Sequence, residues 1–138
     1  MAKIRHIAIF AKDEAKLAKF YVDTFGMKEV FRHVSQSVEN REAIYLSDGY
    51  INLAILPARG DRPEGIDHFG FQVENRDEAA ATAQQMGATQ GPASLPQDGR
   101  FAEAYIRDPV GQRIDLSEAG WRTEAAEGEA AAVKAGAS

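Results

Sequence analysis

The sequence repeats itself with an offset of 61 to 63 residues, and this internal duplication constrains the fold more than any other feature. Several chemically distinctive residues recur in register, including two of the three histidines. A duplication of this length predicts two copies of one supersecondary unit that bury a common core. The matched pairs are Ile4 and Ile66, His6 and His68, Gly26 and Gly87, Gly49 and Gly111, and Asn52 and Asp115.

The hydrophobic pattern predicts the same order of elements in both copies, a strand, a helix and three further strands. Asp13-Glu14 and Asn75 are the expected helix starts, and Gly26 and Gly87 the expected stops. The predicted elements are strands over 3–10, 27–34, 41–47 and 50–56 with a helix from 13 to 26, then strands over 66–73, 88–91, 101–107 and 112–117 with a helix over 76–86.

His6 and His68 occupy equivalent places on the first strands of the two copies, and Asn52 and Asp115 on the last. Since side chains alternate along a strand, each histidine falls on the face away from its helix. Two imidazoles and one carboxylate suit a divalent cation with open positions: Fe²⁺, Mn²⁺, Zn²⁺, Ni²⁺ or Co²⁺. Asn52 either completes this set weakly or hydrogen-bonds to a bound water or substrate. The alternative is that both histidines are ordinary core or surface residues without a metal; His33 has no repeat partner and is interpreted that way.

These patterns predict an α+β fold of two tandem βαβββ modules, which form a curved, mostly antiparallel sheet around a metal-binding cavity. The 138 residues suit a single domain. We expect it to span residues 1–118, with repeat units of about 3–58 and 65–118. The remaining residues 119–138, rich in Ala, Glu and Gly, are expected to form a helical or disordered tail.

Composition excludes several classes of function. Without cysteine, the chain forms no disulfide scaffold, thiolate zinc site or cysteine nucleophile. A net charge of −5 argues against a nucleic-acid partner. No apolar run approaches the ~18 residues of a membrane span, and no apolar signal segment opens the chain, so a cytoplasmic location is expected.

Four segments carry a resemblance to a known family: HIAIF at 6–10, FYVDTFGMKEV at 20–30, DHFGFQV at 67–73 and DPVGQRIDL at 108–116. Together they resemble the vicinal oxygen chelate superfamily of glyoxalases, extradiol dioxygenases, methylmalonyl-CoA epimerase, and fosfomycin and bleomycin resistance proteins. The resemblance covers residues 3–118. It implies His6, Asn52, His68 and Asp115 as metal ligands, although the family usually has Glu at the last position and Glu or Gln at the second.

The resemblance also bears on the substrate. Glutathione-dependent glyoxalases carry Arg and Asn where this chain has Phe10 and Leu56, so a glutathione carboxylate would be left unpaired here. We therefore expect a metal-dependent lyase or isomerase of the glyoxalase type that acts on a small oxygen-chelating substrate without glutathione. Asp115, Glu103 and Tyr105 are the expected catalytic residues. Phe10, Leu56, Gln72 and Arg113 are the expected substrate contacts.

Two other functions remain open at this stage. An Fe²⁺-dependent dioxygenase has the same ligand set, and a metal-free binding protein of the bleomycin-resistance type has the same scaffold. Small members of the superfamily usually pair, so a homodimer is expected.

Overall fold

The computed structural model describes residues 1–35, 38–96 and 100–125, which form eight strands and two helices. The elements are β1 (Lys3–Ala11), α1 (Glu14–Phe25), β2 (Lys28–Val34), β3 (Glu42–Ser47), β4 (Asn52–Pro57), β5 (Gly65–Gln72), α2 (Arg76–Gln85), β6 (Gln90–Ser94), β7 (Ala104–Arg107) and β8 (Arg113–Ser117). The predicted α+β class and the order βαβββ-βαβββ are confirmed. Neither helix is long and apolar enough to cross a membrane.

The chain divides into two compact units, and neither is continuous in sequence. Unit 1 comprises Met1–Ile7 and Asp67–Trp121; unit 2 comprises Ala8–Ile66 and the chain from Arg122 onward. Strand β1 therefore contributes its first half to unit 1 and its second half to unit 2. Because the unit boundary falls inside a strand, the histidine of the first repeat belongs to the unit built mainly from the second repeat.

Unit 1 has the strand order β1-β5-β8-β7-β6. Strands β5 and β8 pair in parallel, whereas β7 pairs antiparallel with both β8 and β6. One sheet face packs on helix α2 through a small apolar cluster. The buried members of this cluster are Val73, Ala80, Ile106 and Leu116. Because side chains alternate, the opposite face of β5 and β8 carries His68, Gly70, Arg113 and Asp115, as the sequence predicts.

Unit 2 has the strand order β2-β3-β4-β1, with antiparallel β2-β3 and β3-β4 pairs. Helix α1 begins where expected, because the Asp13 side chain accepts a hydrogen bond from the Lys16 backbone N–H. It ends at Gly26, whose φ of 72° places it in the left-handed region that favours glycine.

Strand β6 departs from its predicted range of 88–91 and runs on to Ser94. It includes Pro92, which has no backbone N–H to donate to a strand ladder. Proline is tolerated here because β6 is last in the strand order and its register shifts between Gln90 and Ala93. The other strand ends differ from their predicted positions by three residues or fewer. The single-domain boundaries stay a prediction, and residues 126–138 of the expected tail lie outside the described residues.

Candidate metal centre

Three ionisable side chains of unit 1 come together on the sheet face opposite α2. His6 lies in β1, His68 in β5 and Asp115 in β8, and the three are only 4, 4 and 3% exposed. Their ligand atoms all lie within 4.8 Å of one another. Among the described residues this is the one group of His, Cys, Asp or Glu with metal-binding geometry. Burying three such groups is costly unless they are paired or hold a cation.

The carboxylate of Asp115 is the centre of this group. Its Oδ2 lies 3.2 Å from His68 Nε2 and 3.9 Å from His6 Nε2. Its other oxygen, Oδ1, accepts a 2.8 Å hydrogen bond from Arg113 Nε. Arg113 thus occupies one carboxylate oxygen and leaves the other directed at the two imidazoles.

A second carboxylate orients His68. Its Nδ1 lies 2.8 Å from Asp67 Oδ2, and the Gln112 side chain donates to the Asp67 backbone carbonyl at 2.8 Å. Metal-binding histidines characteristically donate their second ring N–H to a carboxylate or carbonyl, which fixes the ring and frees the other nitrogen. Asp67 therefore directs Nε2 of His68 toward Asp115.

His68 and Asp115 shift each other's pKa. Burial disfavours the imidazolium, but hydrogen bonds to Asp115 and Asp67 outweigh it and raise the pKa of His68 above its ordinary value. Burial likewise disfavours the Asp115 carboxylate, but His68 and Arg113 outweigh it and lower the pKa of that carboxyl group. Asp115 is therefore an anion at neutral pH, as a metal ligand must be.

Trp121 packs on His6. The two rings are stacked with centroids 4.9 Å apart and an interplanar angle of 1°, and Trp121 is 7% exposed. Gly70 admits the indole, because a Cβ at this position would lie 2.7 Å from Trp121 Cη2. Gly70 is also the register partner of Asp115, so one missing side chain makes room for both groups.

The donor set fits a divalent cation. Metal–nitrogen and metal–oxygen bonds of about 2.0–2.2 Å place neighbouring ligand atoms roughly 3–3.5 Å apart. The separation of Asp115 Oδ2 from His68 Nε2 lies in this range, and that from His6 Nε2 is only slightly wider. Two imidazoles and one carboxylate are the facial set typical of non-haem Fe²⁺ and also accepted by Mn²⁺, Zn²⁺, Ni²⁺ and Co²⁺.

Three of the residues predicted from the sequence belong to unit 2. Asn52 is fully buried at the start of β4, and its Nδ2 donates to the Arg122 carbonyl at 2.8 Å. The Arg62 guanidinium lies 4.1 Å from the Phe10 ring centroid. Leu56 is half-buried in β4. A metal role for Asn52 and substrate roles for Phe10 and Leu56 stay predictions.

The other predicted residues lie in unit 1 near the three ligands. Tyr105 pairs directly with Asp115 across β7 and β8. Glu103 is instead engaged at the end of β8, where its carboxylate accepts from Ser117 Oγ and from the Glu118 backbone N–H. Gln72 accepts from Arg5 at 3.3 Å. Catalytic roles for Glu103 and Tyr105 and a substrate contact for Gln72 stay predictions.

Nothing predicted from the sequence placed Asp67 or Trp121 beside the three ligand residues. Asp67 had a signal, since an acidic residue directly before a candidate ligand can reach its ring. Trp121 had none, because it follows the last repeat and has no equivalent in the first.

The family is shown by comparison with known proteins. The model of the Glyoxalase/Bleomycin resistance protein/Dioxygenase superfamily matches residues 3–116. The chain therefore belongs to this superfamily, and the resemblance read from the four sequence segments is confirmed.

One curated relative and several solved structures are similar over most of this chain. The uncharacterized protein YaeR of Escherichia coli (strain K12) is 28% identical over 127 residues, which cover 86% of this chain and 97% of YaeR. Hypothetical protein BH1468 of Bacillus halodurans C-125 superposes with a TM-score of 0.68 at 19% identity, over 89% of this chain and 98% of its own.

Two enzymes of different type have the same fold. Methylmalonyl-CoA epimerase of Mycobacterium tuberculosis superposes with a TM-score of 0.65 at 17% identity, over 93% of this chain and 91% of the epimerase. The 2,3-dioxygenase LapB of Pseudomonas sp. KL28 gives 0.66 at 18% identity, over 88% of this chain but only 42% of LapB. At these identities the likeness defines the fold.

Proposed function

We propose that this protein is a divalent-metal-dependent enzyme of the lyase or isomerase type, acting on a small substrate with two adjacent oxygens. The convergence of one ligand atom each from His6, His68 and Asp115 within 4.8 Å supports this proposal. The epimerase supports the isomerase type over the dioxygenase, because this chain covers nearly all of the epimerase and less than half of LapB.

In this proposal His6, His68 and Asp115 hold the ion. Neighbouring residues orient these ligands, keep water from them and hold a proton for the substrate. A bound divalent ion would act as a Lewis acid on the substrate oxygens and acidify the adjacent C–H bond. Asp67 and Arg113 hold His68 and Asp115 in place through the hydrogen bonds described above. Trp121 covers one face of the His6 ring and keeps water from it.

Tyr105 is the residue best placed to hold a proton beside Asp115. As direct cross-strand partners, the two side chains have Cβ atoms about 4.5–5.5 Å apart. Tyr105 Oη accepts a 3.2 Å hydrogen bond from Gln90 Nε2. Within residues 1–35, 38–96 and 100–125 its own hydrogen has no acceptor, so it is available to a substrate oxygen. Asp115 has both oxygens engaged and serves as ligand in this scheme.

The test is elemental analysis of protein purified without a histidine tag. We expect about one divalent ion per chain in the natural protein and in a His33→Ala variant, because His33 is a half-buried residue of unit 2 whose ring contacts Tyr45. The His6→Ala, His68→Ala double variant is expected to lose the ion. Equal and negligible metal in all three proteins would contradict the proposal and favour a metal-free binding protein.

A substrate screen then separates the reaction types. Oxo acids, thiol adducts and catechols are each tested with Fe²⁺, Mn²⁺, Zn²⁺, Ni²⁺ and Co²⁺. Turnover of an oxo acid or thiol adduct without oxygen uptake is the expected result. Oxygen uptake with a catechol and Fe²⁺ would contradict the lyase or isomerase assignment and favour a dioxygenase.

We also propose that the protein is a homodimer. Light scattering at micromolar concentration should give twice the 15.0 kDa mass of the chain, and a strictly monomeric mass would contradict this.

A further inference from the structure

We propose that Arg107 and Arg113 form an oxyanion-binding subsite beside the three ligand residues, so that the substrate carries a carboxylate or phosphate group. The identity of the occupant as substrate rests on the proposed function. The anion site itself stands on the arrangement of β6, β7 and β8 and needs no metal.

The two arginines are direct cross-strand partners in the β7-β8 register. Like charges placed directly opposite each other in a sheet destabilise it. Both guanidinium groups also approach the ring of Tyr105, Arg113 with its Cζ at 4.7 Å from the ring centroid and Arg107 at 6.0 Å. Two cations are therefore gathered around one aromatic ring in a protein whose net charge is −5.

One acidic residue neutralises only part of this charge. Arg113 donates to Asp115 through Nε. Arg107 donates through Nε to Gln90 Oε1 at 3.3 Å and through Nη1 to the Gly111 carbonyl at 3.1 Å. Both acceptors are neutral, and within the described part of the chain Arg107 has no ion pair.

The N–H groups of the two arginines that make no hydrogen bond within the described residues are suited to bind an oxyanion. In the described ranges neither Nη atom of Arg113 has a hydrogen-bond acceptor, and neither does Nη2 of Arg107. Arg113 keeps 25% of its side chain exposed, and Arg107 is likewise partly exposed, so a ligand can reach both. Guanidinium groups with free Nη atoms bind carboxylate and phosphate with charge-assisted, often bidentate, hydrogen bonds.

The proposed subsite lies next to the candidate metal ligand Asp115, so it could hold the anionic group of a substrate bound at the metal centre. Arg113 contacts Asp115 through Nε while its Nη atoms remain free, so one guanidinium links a ligand residue to the proposed anion. A small substrate could then place its chelating oxygens at the metal ligands and its anionic group on the two arginines. This arrangement predicts a preference for anionic over neutral substrates.

The test measures binding of inorganic phosphate and of malonate by NMR titration of the arginine side-chain N–H signals, at constant ionic strength. Arg107→Gln should weaken binding about tenfold or more, the loss expected for one charge-assisted bond. Arg107→Lys keeps the charge without the planar fork and should weaken binding less. Arg59→Gln removes the same charge from an exposed residue of unit 2 and should change binding less than about twofold. Tighter binding of phosphate or of malonate identifies the oxyanion, and either preference supports the subsite.

The His6→Ala, His68→Ala double variant separates this inference from the proposed function. Phosphate binding retained in that variant and lost in Arg107→Gln supports the anion subsite, whether or not the natural protein carries metal. Equal binding by Arg107→Gln and Arg59→Gln would overturn the inference. Loss of binding in the double variant, with Arg107→Gln unaffected, would also overturn it, because the anion would then bind at the histidines.

Discussion

Gly70 determines how closely the Trp121 indole approaches Asp115 and His6. A Cβ at Gly70 would fall 2.7 and 2.8 Å from Trp121 Cη2 and Cζ2 and 3.2 Å from Asp115 Cβ. Real Cβ atoms essentially never lie less than 3.0 Å from another heavy atom, so the rigid indole must move. No other residue type fits this position without disturbing the stack on His6.

We predict that Gly70→Ala lowers the free energy of unfolding by about 1–3 kcal/mol, the usual cost of overpacking. It should also change the fluorescence of Trp121, the single tryptophan of the chain. Denaturant unfolding and emission spectra measure both effects. Gly91→Ala is the matched control in β6, because the atoms that its Cβ would meet belong to the flexible Gln84 side chain. Equal losses in both variants would argue against a specific fit between Gly70 and Trp121.

Asp67 acts through His68. We predict that Asp67→Asn weakens binding of Co²⁺ or Zn²⁺ about tenfold to hundredfold, the usual effect of removing a carboxylate behind a histidine ligand. Metal titration followed by Trp121 fluorescence measures the affinity directly. Asp61→Asn removes one carboxylate from an exposed turn and should leave the affinity unchanged. An unchanged affinity in Asp67→Asn would show that this carboxylate does not support the site.

At the scale of the element, an ion pair attaches the start of helix α1 to the residue just before β3. Arg41 Nε donates to both Glu14 oxygens at 2.8 and 2.9 Å, and its Nη2 donates to Glu14 as well. Arg41 lowers the pKa of Glu14 below its ordinary value of 4.5, although burial opposes this. The Glu14 side chain is 10% exposed and that of Arg41 is 30% exposed.

We predict that Glu14→Gln destabilises the protein by about 1–2 kcal/mol at pH 7, since it removes a charge-assisted pair that is partly exposed. Because the folded-state pKa of Glu14 is lowered, its contribution is present above pH 4.5 and is lost as the pH falls through the folded-state value. The difference between the two proteins should therefore shrink on acidification. Unfolding curves from pH 7 to pH 3 measure it, with the exposed Glu39→Gln as control. A pH-independent difference would contradict this assignment.

The elements themselves could largely be predicted from the sequence. The duplication gave their order, and the caps at Asp13 and Asn75 gave the helix starts, because an Asp or Asn side chain satisfies free backbone N–H groups whatever lies around it. Strand β6 was harder, since a proline is tolerated only at an edge, and edge position is a property of the whole sheet.

The candidate site could be predicted only in part, for the same reason. The repeat offset indicated that His6 and His68 occupy equivalent positions on the first strands of the two copies. It also placed Asp115 on the last strand of the second copy, where its equivalent in the first copy is Asn52. The neighbours of Arg107 depend on strand register, and the stack of Trp121 on His6 depends on a residue outside both repeats. A local pattern encodes neither contact.

At the scale of the whole molecule, the chain leaves unit 1 at Trp121 and enters unit 2 at Arg122. Trp121 and Arg122 are adjacent in sequence but make their contacts in different units. Trp121 stacks on His6, whereas the Arg122 carbonyl accepts from Asn52 and its guanidinium lies 4.7 Å from the Phe31 ring centroid.

We predict that a chain ended after Ala125 retains the metal content of the full chain, because the contacts described for the site lie within residues 1–125. A chain ended after Gly120 should lose stability and bind metal more weakly, because it lacks both Trp121 and Arg122. Elemental analysis and denaturant unfolding test the pair. Equal behaviour of the two shortened chains would contradict a supporting role for residues 121–125.

The wide spacing of residues 6, 68 and 115 has a consequence for biosynthesis. No short stretch of the nascent polypeptide contains two of the three donors, so the ribosome must release the chain past residue 115 before they can converge. In an unfolded chain the three donors come together only at the entropic cost of closing two long loops, one between residues 6 and 68 and one between residues 68 and 115. An ion bound by these three residues would therefore bind the native state in preference to unfolded or partly folded chains. Its concentration in the cell then becomes one of the variables that set how much of the protein survives quality control.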